Sequence, residues 1–337
     1  MYFWLVLGET RPANSTEKLV IWLNGGPGCS SLEGMVLENG PLLVSENGKL
    51  HANEHSWHKR ANVLYIDQPI GTGYSFSKLR QKTTTQVQMA EQFTNFLVKF
   101  FAVFPNLQES DIYLAGESFA GTYIPYIAQA ILVHNSFQPI VTANSSMIPW
   151  SLKGMMIGNG WIDPVNQYRS YIDFGVKHNL LSGGFLTTAE EDWVGCRSAM
   201  EKNGVRIHVP ECESISNQVT EQSKVNHGGL CMNVYDIRLR DESFGDGCGA
   251  AWPSTLMGAY RFFGDQTLLD YTHAQGSVNQ WVECSSSVFD AMKKDSSLPS
   301  ITLLPDLVKK VPLFLYSGDQ DFICNHQGTS SLFSLCH

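Results

Sequence analysis

Ser118 is the residue whose neighbours best suit a nucleophile. It lies in Asp111–Tyr126, DIYLAGESFAGTYIPY, where an apolar run, a turn of small residues and a helix-forming run follow one another. Ile112, Tyr113 and Leu114 read as a buried strand, and Tyr123, Ile127 and Ile131 continue as a helix. The pattern is G-x-S-x-G with one departure: Ala120 takes the last small position and Gly121 follows it. A serine in such a turn takes a strained backbone, and strand and helix approach too closely for larger side chains. The helix N-terminus then directs N–H groups and a positive dipole toward the place where an oxyanion would form. The chemistry would be acyl transfer through a serine; the bland reading is a strand–loop–helix joint with a chance serine.

A second stretch bears on that choice. Lys18–Leu23, KLVIWL, is a buried strand that runs into Asn24-Gly25-Gly26-Pro27-Gly28-Cys29-Ser30-Ser31. Such a loop could cradle a phosphate, but it lacks the Lys-Ser/Thr of a P-loop and the spacing of a dinucleotide fingerprint. Its bare N–H groups could instead supply half of an oxyanion hole, for which Ser118 is a ready partner.

Trp22-Leu23-Asn24-Gly25-Gly26-Pro27-Gly28-Cys29-Ser30-Ser31, taken with Gly116-Glu117-Ser118-Phe119-Ala120-Gly121, resembles the serine carboxypeptidase family (peptidase S10). Gln68–Ser75 (QPIGTGYS) and Gly158–Pro164 (GNGWIDP) match it too, and Cys231–Asp236 with Trp281–Cys284 are similar to the Kex-type branch, the fungal pheromone-processing carboxypeptidases. The resemblance implies an α/β-hydrolase fold, a mostly parallel central sheet flanked by helices, with an inserted, disulfide-containing helical cap. It also implies release of C-terminal residues, with Lys or Arg preferred, through an acyl-enzyme and without cofactor or metal.

Residue by residue, the resemblance makes Ser118 the nucleophile and Asp321, in Gly318–Asn325 (GDQDFICN), the orienter of a histidine, with Asp319 structural. A turn-forming aspartate is the bland reading of Asp321. The oxyanion hole would be the N–H groups of Phe119 and Gly26; Phe119 stands where the family usually has tyrosine, which matters little if only its backbone acts. Trp22, Asn24, Glu38 and Glu117 match the side chains that grip the substrate's terminal carboxylate. Two acids facing a carboxylate must hold a proton, which close, desolvated acids do. The blander view has Trp22 as core, Asn24 as a turn former and Glu38 as a solvated helix residue.

The histidine is the gap. Of ten histidines only His326 and His337 follow Asp321. The fold needs a helix and a strand before the histidine loop, and the family's Gly-x-His-Met-type motif is absent, so both read as surface residues. Family members also carry a signal peptide and a first strand pair ahead of the segment matching Tyr2-Phe3-Trp4. The expectation is therefore a chain lacking both ends of the family domain, diverging from Leu332 to His337, and nearly inactive: loss of a triad member lowers turnover by ~10⁴–10⁶.

The elements that must position these groups are readable as apolar runs. MYFWLVLG, KLVIWL, Ala61–Asp67, the strand before Ser118, Ser151–Ile157 and Val311–Ser317 are strands. Thr83–Phe104 is a helix on Val87, Ala90, Leu97, Phe100, Phe101 and Phe104, capped by threonines and ended by Pro105. The strand–helix alternation then fails, which divides the chain into a core at 1–180 and 301–337 and a cap at 181–300 that holds five of the eight cysteines. By resemblance Cys29 pairs with Cys284 and Cys324 is free; within the cap the nested pairs 196–248 and 212–231 are favoured, although sequence alone leaves connectivity open.

Composition sets the outer bounds. With 43% hydrophobic residues and a net charge of −9, the chain is globular, without a basic block for nucleic acid or an anionic membrane. No apolar run reaches the ~20 residues of a membrane span. Dispersed cysteines and sequons at Asn14 and Asn144 point to disulfides, glycans and the secretory pathway (trans-Golgi, vacuole or extracellular). Partners would be peptide or protein C-termini. The competing readings are a catalytically inactive relative that binds peptides or stabilises a partner, motivated by the missing histidine, and an acyltransferase, disfavoured by the Kex-like cap.

Overall fold

The computed structural model describes residues 1–9, 16–79, 82–136, 148–241, 253–274 and 280–332. In chain order its elements begin β1 (Tyr2–Val6), β2 (Lys18–Leu23), α1 (Ser31–Leu37), β3 (Leu42–Val44), β4 (Leu50–Ala52), β5 (Asn62–Asp67), α2 (Gln86–Val103), β6 (Asp111–Glu117), α3 (Ala120–Ser136) and β7 (Ser151–Gly158). There follow α4 (Pro164–Lys177), α5 (Gly183–Asn203), α6 (Glu213–Asn226), β8 (Cys231–Met232), β9 (Arg240–Asp241), α7 (Thr255–Phe263), α8 (Gln266–Tyr271), α9 (Ser286–Met292), α10 (Leu304–Leu307), β10 (Leu313–Tyr316) and α11 (His326–Ser330).

A six-stranded sheet runs β1-β5-β2-β6-β7-β10, with β1 antiparallel to β5 and β2 parallel to both β5 and β6. The central strands are buried on both faces, which is why they read as unbroken apolar runs rather than alternating ones. Val20, Trp22, Val63, Tyr65 and Ala115 share one face and pack with α1 and α7 through Leu32, Met35, Val36, Leu256, Ala259 and Phe263. Phe3 of β1 packs edge-on against Phe96, Phe100 and Phe104, which lie along α2 and at its C-cap.

Two compact units result: Met1–Ile157 with Pro253–Asp295 and Asp306–Phe314, and Gly158–Trp252 with Ser296–Pro305 and Leu315–His337. The second has its own core, in which Tyr168, Tyr171, Ile172 and Phe174 of α4 meet Cys196 and Met200 of α5, Ile215 and Val219 of α6, and Phe322.

Several expectations meet their local detail here. The threonine-capped helix begins at Gln86, with Thr85 Oγ1 accepting the Gln88 N–H, and closes before Pro105. Its inner stripe carries Met89 and Phe93, while Val87 is 63% exposed and lies outside the stripe. The cap cysteines pair differently from the favoured arrangement: Cys196 bonds Cys212. α5 carries the first and the turn Pro210–Cys212 brings the second straight back to it, so a short loop closes before Cys231 is reached. Cys231 is also disulfide-bonded, and Cys248 lies outside the described residues, as do Asn14, Asn144 and His337. Cys29–Cys284 is present and Cys324 is free and buried. His326 is half-buried, its ring edge-on to Phe174, rather than on the surface. Among the described residues no helix is long and apolar enough to cross a membrane.

Candidate active site

β6 ends at Glu117, α3 starts at Ala120, and Ser118 turns the chain between them at φ 55°. That left-handed backbone is uncommon for a residue with a Cβ and costs of order 1–3 kcal/mol. Bonds from Gly121 N–H to Ser118 O and from Thr122 N–H to Phe119 O, both 2.9 Å, hold the turn. The Ser118 hydroxyl and the N–H groups of Phe119 and Gly26 have no hydrogen-bond partner among the described residues.

The glycine loop leaves β2 directly against this turn. A Cβ on Gly25 would meet Phe119 N at 2.5 Å, Ser118 Cβ at 2.8 Å and Glu117 O at 2.9 Å. The loop is tied from behind: Asp67, fully buried at the end of β5, accepts the Ser30 hydroxyl at 2.6 Å and the Tyr74 N–H at 2.9 Å. Ser30 Oγ in turn accepts the Trp281 indole N–H at 3.1 Å, and Cys29–Cys284 joins the same two segments covalently. Burial pushes the Asp67 carboxyl up to about 6, against four hydrogen bonds that favour its charge.

Beside the turn, Trp22, Asn24, Glu38 and Glu117 come together. The buried Trp22 indole donates to Asn24 Oδ1 at 2.8 Å, which leaves the Asn24 amide to donate to Glu117 at 3.0 Å and to Glu38 at 3.3 Å. Glu38 caps the C-terminal end of α1 rather than lying along it. As a residue it keeps exposed surface, yet its carboxyl is turned into the cluster, where desolvation raises its pKa and bonds to Asn24 and Glu117 partly offset the rise. The amide spends both its N–H groups on the two carboxyls, and a carboxyl that resists ionisation keeps a proton to donate to a third carboxylate.

Gly34 makes room for this arrangement. A Cβ there would collide with the Trp22 indole nitrogen and lie 2.7 Å from Asn24 Oδ1. Gly34→Ala is expected to cost about 1–3 kcal/mol of stability and to weaken capture of a free C-terminus. Melting curves and peptide Kd read the two effects, and an unchanged Kd would show that Asn24 does not depend on this contact.

In the second unit Asp321 is 7% exposed and well anchored. Its carboxylate accepts Asn159 Nδ2 at 2.6 Å and the N–H groups of Ile323 and Cys324 at 3.1 and 3.3 Å, while burial pushes its pKa up to about 6. Asn159 sits at φ 42° and also accepts the Gly318 N–H at 3.2 Å. Among the described residues no histidine is hydrogen-bonded to Asp321 or Ser118.

A mostly parallel sheet flanked by helices, with a left-handed serine at a strand–helix turn beside a glycine loop, defines an α/β-hydrolase-type fold. The family model for serine carboxypeptidases matches residues 1–335, and the chain belongs to that family. It is 39% identical over 339 residues to the pheromone-processing carboxypeptidase kex1 of Pyrenophora tritici-repentis, covering 98% of this chain and 51% of that protein. It is 40% identical over 337 residues to KEX1 of Pyricularia oryzae, covering 98% and 52%. The chain thus spans about half the length of these relatives. Among solved structures, Kex1(delta)p, a prohormone-processing carboxypeptidase from Saccharomyces cerevisiae, superimposes with a TM-score of 0.87 at 33% identity, covering 98% of this chain and 71% of that one.

Proposed function

We propose that the protein is a serine carboxypeptidase that releases C-terminal residues, Lys or Arg by preference, from peptides in the secretory pathway. The observation that carries this reading is the Trp22–Asn24–Glu38–Glu117 cluster, whose Glu117 immediately precedes the left-handed Ser118. Ser118 Oγ attacks the last peptide carbonyl and gives up its proton to a base. The resemblance assigns that role to a histidine oriented by the residue matching Asp321, a histidine not identified among the described residues. The Phe119 and Gly26 N–H groups stabilise the oxyanion. The amine leaves with that proton, and water then cleaves the acyl-enzyme. Glu38 and Glu117 share a proton and donate it toward the substrate carboxylate, so binding strengthens as pH falls. The disulfides support a secretory route, and the basic preference rests on the resemblance to the Kex-type branch.

Hydrolysis of a peptide with a free C-terminus, compared with the same peptide amidated, tests this. One residue released per turnover, with the amide inert, is the expected result; internal cleavage or equal rates would refute it. The lack of a histidine bonded to Ser118 or Asp321 among the described residues favours a second reading, an inactive peptide-binding or partner-stabilising relative. A fluorophosphonate probe separates the two, since only an activated Ser118 is labelled stoichiometrically.

A further inference from the structure

The glycine loop and the Ser118 turn come from distant parts of the chain, and each carries one of the two proposed oxyanion donors. A donor helps only when it is aimed at the oxygen that gains charge, so the span between the Gly26 and Phe119 N–H groups matters. Gly25 lies against Phe119 N and limits how near the two can come. Such a contact does nothing to stop the loop from lifting away.

Tyr123 supplies that restraint. It lies one turn into α3 and is fully buried, and side chains on a helix lean toward its N-terminus. Its ring packs edge-on against that of Phe119, with centroids 5.1 Å apart. Its hydroxyl reaches the loop and accepts the Gly28 N–H at 3.2 Å. Gly28 is engaged at its carbonyl too, which accepts the Ser285 N–H at 2.9 Å, and a Cβ on it would meet Val288 Cβ at 2.8 Å. The Cys29 N–H donates to Gly25 O at 3.2 Å, which closes residues 25–29 into one turn, so whatever fixes Gly28 also fixes Gly26.

We propose that Tyr123 is the positioning residue that sets the span of the oxyanion hole. One side chain, rooted on the helix that starts beside Phe119, holds the loop that carries the Gly26 N–H. This rests on the carboxypeptidase reading above. Burial pushes the phenol far above its ordinary range, so it stays a neutral hydroxyl wherever the enzyme would work. Its contribution is geometric and independent of pH, unlike that of Glu38 and Glu117.

Tyr123→Phe keeps the ring and its packing, removes only the hydroxyl, and leaves a buried Gly28 N–H without its acceptor. For a peptide with a free C-terminus, kcat is expected to fall about 10- to 100-fold, by the same factor at about pH 5 and about pH 7.5. KM should stay within about threefold of the parent, and inhibition by a product peptide, which reads the carboxylate grip alone, should be unchanged. Ile131→Val, about two turns further along α3 and fully buried, is the structural control, expected to lower the melting temperature and keep kcat. A kcat for Tyr123→Phe within about threefold of the parent, a loss confined to KM, or a kcat loss matched by Ile131→Val would overturn the positioning role. A parent that releases no residue, or that cleaves the amidated peptide as fast as the free one, would refute the carboxypeptidase reading itself, and the positioning role would fall with it.

Discussion

Alanine at Gly25 is expected to lower kcat for peptide hydrolysis by about 10³-fold, far more than it lowers stability. The added Cβ would sit 2.5 Å from Phe119 N and 2.8 Å from Ser118 Cβ, distances that real Cβ atoms do not adopt. These are backbone and Cβ atoms of a turn already held by its own hydrogen bonds, so the loop and the turn must part. The N–H of Phe119 is on one side of that gap and the N–H of Gly26 is on the other. Both proposed oxyanion donors are therefore displaced together, and one donor alone is worth about 10²–10³ in kcat. Peptide hydrolysis with melting as a control measures the effect. Gly195→Ala is the reference: its Cβ meets nothing within 4 Å on α5, so it should raise stability by about 0.5–1 kcal/mol and leave kcat alone. A kcat for Gly25→Ala within about tenfold of the parent would show that the loop does not supply half of the hole.

What could be read from the chain beforehand follows a physical line. β2, β5 and β6 were legible because doubly buried strands are short apolar runs ended by small residues, and the turn at Ser118 because only small neighbours fit between a strand and a helix that close. Trp22, Asn24, Glu38 and Glu117 were reached only through a family resemblance; nothing in the spacing of residues 24, 38 and 117 tells that one amide will bridge two acids. Asn159 went unremarked although a signal existed. An asparagine between glycines at a strand end tolerates the left-handed backbone, and that geometry aims its amide at Asp321.

Glu33 of α1 and Glu283, both buried, left no such signal. Each reads as an ordinary charged residue, and each becomes a buried acid only when segments far apart in sequence close around it, tied by a disulfide between cysteines 255 positions apart. The cap cysteines show the converse limit. Composition announces disulfides, but the choice of 196 with 212 depends on where α5 ends and the turn at Pro210 returns.

Stability should rise, not fall, as the pH drops from about 7.5 to about 5. The large upward shifts of the buried acids outweigh the opposite pull of His134, His178 and His326, whose pKa values burial lowers. Buried carboxyls usually make proteins acid-labile because partners in the native state lower their pKa. Here burial does the reverse: Glu33 is raised well above the ordinary range, Glu283 to about 7, and Asp67 and Asp321 each to about 6. Below the unfolded-state pKa both folded and unfolded forms hold these protons, so nothing is lost there. As pH climbs through the interval between the unfolded and folded values, the unfolded chain releases protons that the folded one retains, and folding weakens. Glu283 alone accounts for up to about 3 kcal/mol over that interval. The melting temperature is therefore expected to increase by several degrees on acidification. Glu283→Gln should stabilise the protein at neutral pH and flatten the dependence, because the amide carries no charge to desolvate. A melting temperature that falls steadily from neutral toward pH 5, or a Glu283→Gln variant less stable than the parent at neutral pH, would mean that these carboxyls are compensated by partners and ionise freely in the folded protein.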